Sequence, residues 1–185
     1  LVELLLPMLD PKIELITKPI AKGLPAGPGG ARGRVVFSSH DAVEWAKKGE
    51  QVILVREETS PEDVDGMHKA EAILTSKGGM TSHAALVARG WGKCCIVGSG
   101  DIEINHDARN FKVKDGTVIR EGDWLSLNGT KGLVYIGSLP LVDIDLDKNQ
   151  SYKDLMKLVD KVKTMGVRAN AETPEDATQA LKFGA

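Results

Sequence analysis

The stretch that most constrains this chain runs from Ala72 to Gly90. The apolar run Ala72-Ile73-Leu74-Thr75 reads as a strand, and it feeds directly into Lys77-Gly78-Gly79-Met80-Thr81-Ser82-His83. The two glycines free the backbone for positive φ or close approach to a ligand. Thr81 or Ser82 offers an N-cap oxygen, and Ala84 to Arg89 is helix-compatible up to Gly90, a natural C′ residue. His83 therefore falls in the first turn of a short helix. Because that helix is apolar nearly all round, it is expected to be largely buried, with its N-terminal end open to solvent. Strand, glycine loop and helix N-terminus together place a ligand at the C-terminal edge of a sheet. Unpaired N–H groups and the helix dipole there favour an anion such as phosphate. A tight turn before a capped helix gives the same local pattern, so the rest of the chain has to decide between the two.

From Gly33 the pattern alternates strand and helix. Arg34-Val35-Val36-Phe37 is a strand, Asp41 to Lys48 a helix ending at Gly49, and Gln51-Val52-Ile53-Leu54-Val55 a fully buried strand. Ser60-Pro61-Glu62-Asp63 supplies a cap, a proline at N1 and first-turn acids for a brief helix ending near Gly66-Met67-His68. The acids Glu57, Glu58, Glu62, Asp63 and Asp65 read as a solvated loop and helix start rather than a metal site. Cys94-Cys95-Ile96-Val97 returns as a strand. Adjacent strand residues face opposite ways, so the two thiols cannot readily share one metal. No zinc spacing joins them to His68, His83 or His106, which makes them packing residues.

After Gly98 the chain turns to β, with Phe111-Lys112-Val113, Thr117-Val118-Ile119 and Trp124-Leu125-Ser126-Leu127 as strands. Asn128-Gly129 is a hairpin signal that returns through Gly132 to Ile136. Lys22 to Gly30 is too rich in Gly and Pro for a regular element, and without a Gly-Lys-Ser/Thr ending it is no Walker loop. Leu1 to Leu9 reads as an apolar, helical tail ending at Asp10-Pro11. Leu139 to Asp147 is extended, and an amphipathic helix runs from Tyr152 to about Met165. Gly166 to Ala171 reads as a strand, and Thr173-Pro174 opens one more helix.

Composition sets the outer bounds. With 185 residues, 42% hydrophobic and 27% charged, the chain has material for one domain plus extensions. A net charge of −2 predicts no general affinity for nucleic acid or an anionic membrane. The apolar runs are too short to cross a bilayer. Two adjacent cysteines make no disulfide framework, so a reducing compartment is expected. The chain opens at Leu1 and stops at Ala185 in a way that reads as a piece of a larger protein.

Gly78 to Ala85, with Ala88-Arg89, resembles the phosphohistidine segment of the phosphoenolpyruvate-utilising enzymes. That family includes enzyme I of the sugar phosphotransferase system, phosphoenolpyruvate synthases and pyruvate, phosphate dikinases. Met80 and Trp91-Gly92-Lys93-Cys94-Cys95 resemble the dikinase branch, and the resemblance runs from about Leu15 to the last residue. It implies an α/β fold, a swivelling β/β/α phosphohistidine domain over residues 20–139 with linker segments on both sides. Residues 1–19 would lead out of a preceding ATP-binding domain. Residues 140–185 would be a linker helix and the first strand and helix of a truncated phosphoenolpyruvate/pyruvate barrel.

In that reading His83 is the phosphohistidine, attacking through Nε2, and Gly78, Gly79, Thr81 and Ser82 support the phosphoryl group. What holds Nδ1 stays open between a backbone carbonyl, the Thr81 hydroxyl and water. Arg89, at the far end of the helix, suits the dipole, and a salt bridge or subunit contact is expected of it no less than direct phosphate contact. The resemblance implies transfer from ATP and phosphate to pyruvate, with release of AMP and pyrophosphate. It places Mg2+ in other domains and no metal in this segment, and it implies a homodimeric parent in the cytoplasm or, if plant-type, the plastid stroma. In the plant-type branch Thr81 would be a site of inhibitory phosphorylation, whose dianion would repel incoming phosphate. Three alternatives accompany this reading: a carrier of the phosphoenolpyruvate synthase or enzyme I kind, a non-catalytic regulatory module of the same fold, and a hydrolase using Ser82 with His83. Adjacent helix residues point about 100° apart and no Gly-x-Ser-x-Gly elbow occurs, so the hydrolase ranks lowest.

Overall fold

A computed structural model describes residues 6–142, 150–169 and 173–182. The chain divides into two units, Leu1–Ile144 and Asp145–Ala185. The first unit opens with β1 (Met8–Leu9), α1 (Pro11–Ile16), β2 (Ala21–Lys22), β3 (Leu24–Gly27) and β4 (Gly30–Val36). There follow α2 (Ser39–Lys47), β5 (Val52–Arg56), a 3-10 turn (Pro61–Asp63) running into α3 (Val64–Lys69), β6 (Ala72–Thr75), α4 (His83–Gly90) and β7 (Cys94–Val97). The β-rich part comprises β8 (Ile102–Asn105), β9 (Asn110–Val113), β10 (Val118–Arg120), β11 (Trp124–Asn128), β12 (Leu133–Ile136) and β13 (Leu141–Val142).

Local chemistry starts the helices: α2 begins two residues before the expected Asp41, and the expected start at Pro61 is a 3-10 turn that leads into α3. Ser38 Oγ accepts from Asp41 N at 3.0 Å to cap α2. The buried Asp63 carboxylate accepts from Ser60 N at 2.9 Å before α3. Strands β4, β5, β6 and β7 are parallel neighbours, the arrangement that helical crossovers require. They form the middle of an eight-stranded sheet ordered β2-β12-β11-β4-β5-β6-β7-β3, whose flanking strands are antiparallel.

Only Gly23 separates β2 from β3, yet these strands lie at opposite ends of that order. The two sheet edges must therefore meet, and the sheet closes on itself. Gly23 N donates to Gly132 O and Gly129 N to Gly29 O, which extends the β2–β12 and β11–β4 ladders by one step each. A Cβ on Gly129 would stand 2.1 Å from Gly27 O, so only glycine lets the backbones approach this closely.

Alternation along the strands sorts the core into two clusters. Val35, Ile53, Val55, Leu74, Cys94 and Ile96 face inward with Leu125, Leu127 and Val134. Phe111, Val113 and Ile119 of the separate β10-β9-β8 sheet join the same cluster, and Phe37 and Phe111 meet edge to face. Val36, Val52, Leu54, Ile73, Cys95 and Val97 face outward against Ala42, Met67, Ala84, Ala85 and Ala88 of the helices.

The α/β class is as expected, with local differences. Met8–Leu9 is a strand paired with Leu141–Val142, and Leu9 is buried, because pairing rather than propensity decides so short a segment. The glycine- and proline-rich stretch holds β3, an outermost strand in the pairing order on which Pro25 is tolerated. The turn after Asn128 is longer than a two-residue hairpin, with Asn128 paired to Leu133. β8 is an additional strand with alternating burial that its Ile-Glu-Ile-Asn pattern explains. Gly90 is the last residue of α4 rather than its C′, and Gly92, at φ +64°, takes the left-handed position. Helix α4 is also less buried than its apolarity suggests: Ala84, Ala85 and Ala88 are covered, while Leu86 is 56% exposed. The small side chains set the face that fits against the sheet.

The second unit contains α5 (Gln150–Val162) and α6 (Pro174–Lys182). Leu155, Leu158, Val159 and Val162 of α5 are solvent-exposed. Residues 166–169 form no strand. The remainder of that expected strand, Asn170-Ala171, lies outside the described residues, as do residues 1–5 and 143–149.

Candidate functional site

The strand register builds the site. β5 and β6 are parallel with Arg56 opposite Thr75, so the segments that follow them leave the same sheet edge side by side. The ladder continues past the strands, with Ser76 N donating to Arg56 O and Lys77 N to Glu57 O at 2.9 Å. On the other side Gly98 N donates to Lys77 O and Ser99 N to Thr75 O. The Thr75 hydroxyl closes the turn by donating to Lys77 O at 2.7 Å. Gly78 adopts φ +91°. A Cβ on the neighbouring Gly98 would lie 2.6 Å from Gly78 O, so the loop is wedged between two glycines.

Within this frame His83 is the first residue of α4 and is half-buried. Its Nδ1 lies 3.2 Å from the Thr59 hydroxyl oxygen, on the segment after β5. A threonine hydroxyl can donate to or accept from an imidazole nitrogen. When Nδ1–H donates to it, Nε2 is left with its lone pair and is a nucleophile. Thr59, Thr75, Lys77, Ser82 and His83 line a cleft of about 220 Å³ together with Glu58. A second hollow of about 470 Å³, lined by Arg56, Glu57, Glu58, Lys77 and His106, shares two of those residues.

Of the residues that the sequence singles out, Ser82 is the cap: its Oγ accepts from Ala85 N at 3.4 Å. Thr81 is exposed, and Gly79 has an ordinary φ with open space around its α-carbon. Arg89 turns its guanidinium back along the helix to donate to Met80 O, bracing the loop. Trp91 meets His68 edge to face at 5.2 Å, and the Lys93 ammonium donates to His68 O and Ala70 O. Trp91-Gly92-Lys93 is thus a clasp between α3 and β7. Burial lowers the Lys93 pKa, and it drives the thiols of Cys94 and Cys95 up to about 12. The two cysteines sit in opposite core clusters, as adjacent strand residues must.

Sequence reading misses Thr59, because its link to His83 depends on which strands are neighbours. Parallel pairing of the second and third strands of the alternating region is the signal that could have found it. Glu57, read as part of a solvated acidic run, keeps its side chain 45% exposed and also binds Lys77 Nζ at 2.7 Å. That contact holds the Glu57 carboxyl below its ordinary range and the Lys77 ammonium above its own. Among the described residues no group of three or more His, Cys, Asp or Glu side chains could hold a metal ion. No described helix is long and apolar enough to cross a membrane.

An imidazole at a helix N-terminus, on a glycine loop at the edge of a parallel sheet, is an arrangement suited to handling phosphoryl groups. The family model "PEP-utilising enzyme, mobile domain" matches residues 48–132. The particular relatives are pyruvate, phosphate dikinases. The chain is 54% identical over 91% of its length to pyruvate, phosphate dikinase 1, chloroplastic, of Oryza sativa subsp. japonica, covering 17% of that protein. It is 54% identical over 90% to pyruvate, phosphate dikinase 2 of Zea mays, covering 18%. It is 47% identical over 99% to pyruvate, phosphate dikinase of Clostridium symbiosum, covering 21%. The chain therefore spans about a fifth of the length of the curated relatives it matches.

Proposed function

We propose that this chain is the central, phosphoryl-carrying domain of a pyruvate, phosphate dikinase-like phosphotransferase, with His83 as carrier. One observation above all supports this reading: Nδ1 of a half-buried His83 is engaged by Thr59 at 3.2 Å, which frees Nε2 for attack at the helix N-terminus. Ser82 Oγ serves as the helix cap and His83 Nδ1 meets Thr59 rather than Ser82, which weighs against a serine hydrolase.

The chemistry follows from the products. To release AMP from ATP, the Nε2 lone pair attacks the β-phosphorus, and the bond to the α-phosphoryl oxygen breaks with its electron pair on AMP. A phosphate oxygen then attacks the terminal phosphorus, and pyrophosphate leaves with a single phosphoryl group remaining on Nε2. The oxygen of enolised pyruvate takes that group, and the pair of the breaking N–P bond returns to His83. Throughout, Thr59 holds Nδ1 and so fixes which nitrogen reacts. The N–H groups at the start of α4 and Gly78 to Ser82 face the transferred anion.

The ATP site and the pyruvate site belong to other domains of a longer polypeptide, between which residues 20–139 swing as one body. Mg2+ acts in those domains, and no step here runs through a metal. The parent is a homodimer of the cytoplasm or plastid stroma. Thr81, exposed two residues before His83, is the place for a regulatory phosphate that blocks access. Alone, the chain has no turnover. With the ATP-binding domain of a close relative, ATP and Mg2+, it is expected to gain acid-labile, base-stable phosphate. The same experiment on His83→Asn is expected to give none. Retained label in His83→Asn would overturn the proposal.

A further inference from the structure

Among the side chains that line the His83 cleft, Lys77 alone carries a positive charge. The nearby guanidiniums are committed elsewhere, Arg89 to Met80 O and Arg56 to Phe37 O and Asp63. Lys77 is held in an unusual way. Its backbone is fixed on both sides, N–H to Glu57 O and C=O from Thr75 Oγ1 and Gly98 N. Its side chain, 63% exposed, reaches only the 45% exposed Glu57 carboxylate. A cation on a rigid pivot with an exposed, weakly bound partner is free to change partners. A phosphoryl group arriving on Nε2 brings up to two negative charges to a cleft that Glu58 lines, beside the hollow that Glu57 lines. Such a group offers Lys77 a stronger partner than a single carboxylate.

Resting on the assignment of His83 as carrier, we propose that the Lys77–Glu57 pair is a charge latch. Glu57 holds Lys77 while His83 is bare, and Lys77 passes to the phosphoryl group once His83 is loaded. The empty cleft then shows free anions a neutralised lysine, whereas the loaded one uses the cation to stabilise the group being carried. Glu57, pushed away from the dianion, gives up its partner in the same movement.

Potassium phosphoramidate tests this on the 185-residue chain without any other domain. Nε2 bonds to phosphorus as the bond to nitrogen breaks and ammonia leaves. Comparison with His83→Asn identifies the His83 signal in the 31P spectrum among the four histidines. The second ionisation of that phosphoryl group is then read from its shift against pH. Removing a nearby cation disfavours the dianion, so Lys77→Gln is expected to raise this pKa by roughly half a unit, a partly screened form of the usual charge effect. Glu57→Gln, which frees Lys77, is expected to lower it, and Lys77→Arg to restore the parent value. Absence of a His83 signal in the parent would overturn the carrier assignment itself. A His83 signal whose ionisation fails to move in either Lys77→Gln or Glu57→Gln would overturn the latch and leave the carrier standing.

Discussion

At the scale of single residues, the site depends on a difference between two nitrogens of one ring. Thr59 is on Nδ1, and in the proposed carrier that contact leaves Nε2 as the reacting atom. Thr59→Val keeps the shape and removes the hydrogen bond, worth about 1 kcal/mol. It is expected to slow phosphorylation of His83 about fivefold and to shift the ring's tautomer balance, read from its 15N chemical shifts. An unchanged tautomer would show that Thr59 does not orient the ring. The two cysteines make a separate prediction. Burial raises both thiols from 9.0 to about 12, so the folded chain keeps protons that the unfolded chain releases. Their contribution is present in full below about pH 9 and is lost as pH climbs from 9 towards 12, by about 1.4 kcal/mol per pH unit per thiol. Urea unfolding between pH 8 and 10 should show this slope, and Cys95→Ala should flatten it.

At the scale of elements, the glycine loop is held from outside as much as by its own residues. Gly98 abuts Gly78 O and has φ +62°, so Gly98→Ala meets both a clash and a disfavoured backbone. It is expected to cost roughly 1–3 kcal/mol and to disturb the His83 resonances. Gly100→Ala, in open space, should do neither. Thermal unfolding and NMR of the two variants would decide this. Much at this scale is legible in the sequence. β6 and β7 carry their expected bounds, and Ser82 caps the helix that His83 begins, because local patterns of burial and capping fix them. β2, β3 and β13 are not legible: each is short, and each exists only through a partner far along the chain, as Leu24 through Val97. Thr59 escapes notice for the same reason, since a long-range strand pairing delivers it to His83.

For the molecule as a whole, the amino-terminal segment is tied into the first unit through Glu14. Its carboxylate, almost wholly buried, accepts from Asn128 Nδ2 at 2.7 Å and Tyr135 Oη at 2.9 Å, with Lys131 at 3.4 Å. Burial and this acid raise the Tyr135 hydroxyl pKa. Glu14→Ala strands those donors and is expected to cost roughly 2–3 kcal/mol, read as a lower urea midpoint with unchanged slope. A closed sheet fastened in this way suits the proposed role of a carrier that moves one histidine between two sites. The claim at the centre of the account is that His83 takes the phosphoryl group on Nε2, with Nδ1 held by Thr59. Long-range 1H–15N–31P NMR of the phosphorylated chain tests it most directly. The account predicts phosphorus coupled to Nε2 of His83, with a proton shared between Nδ1 and Thr59. Phosphorus on Nδ1, or an acid-stable ester on Ser82 or Thr81 in its place, would contradict it.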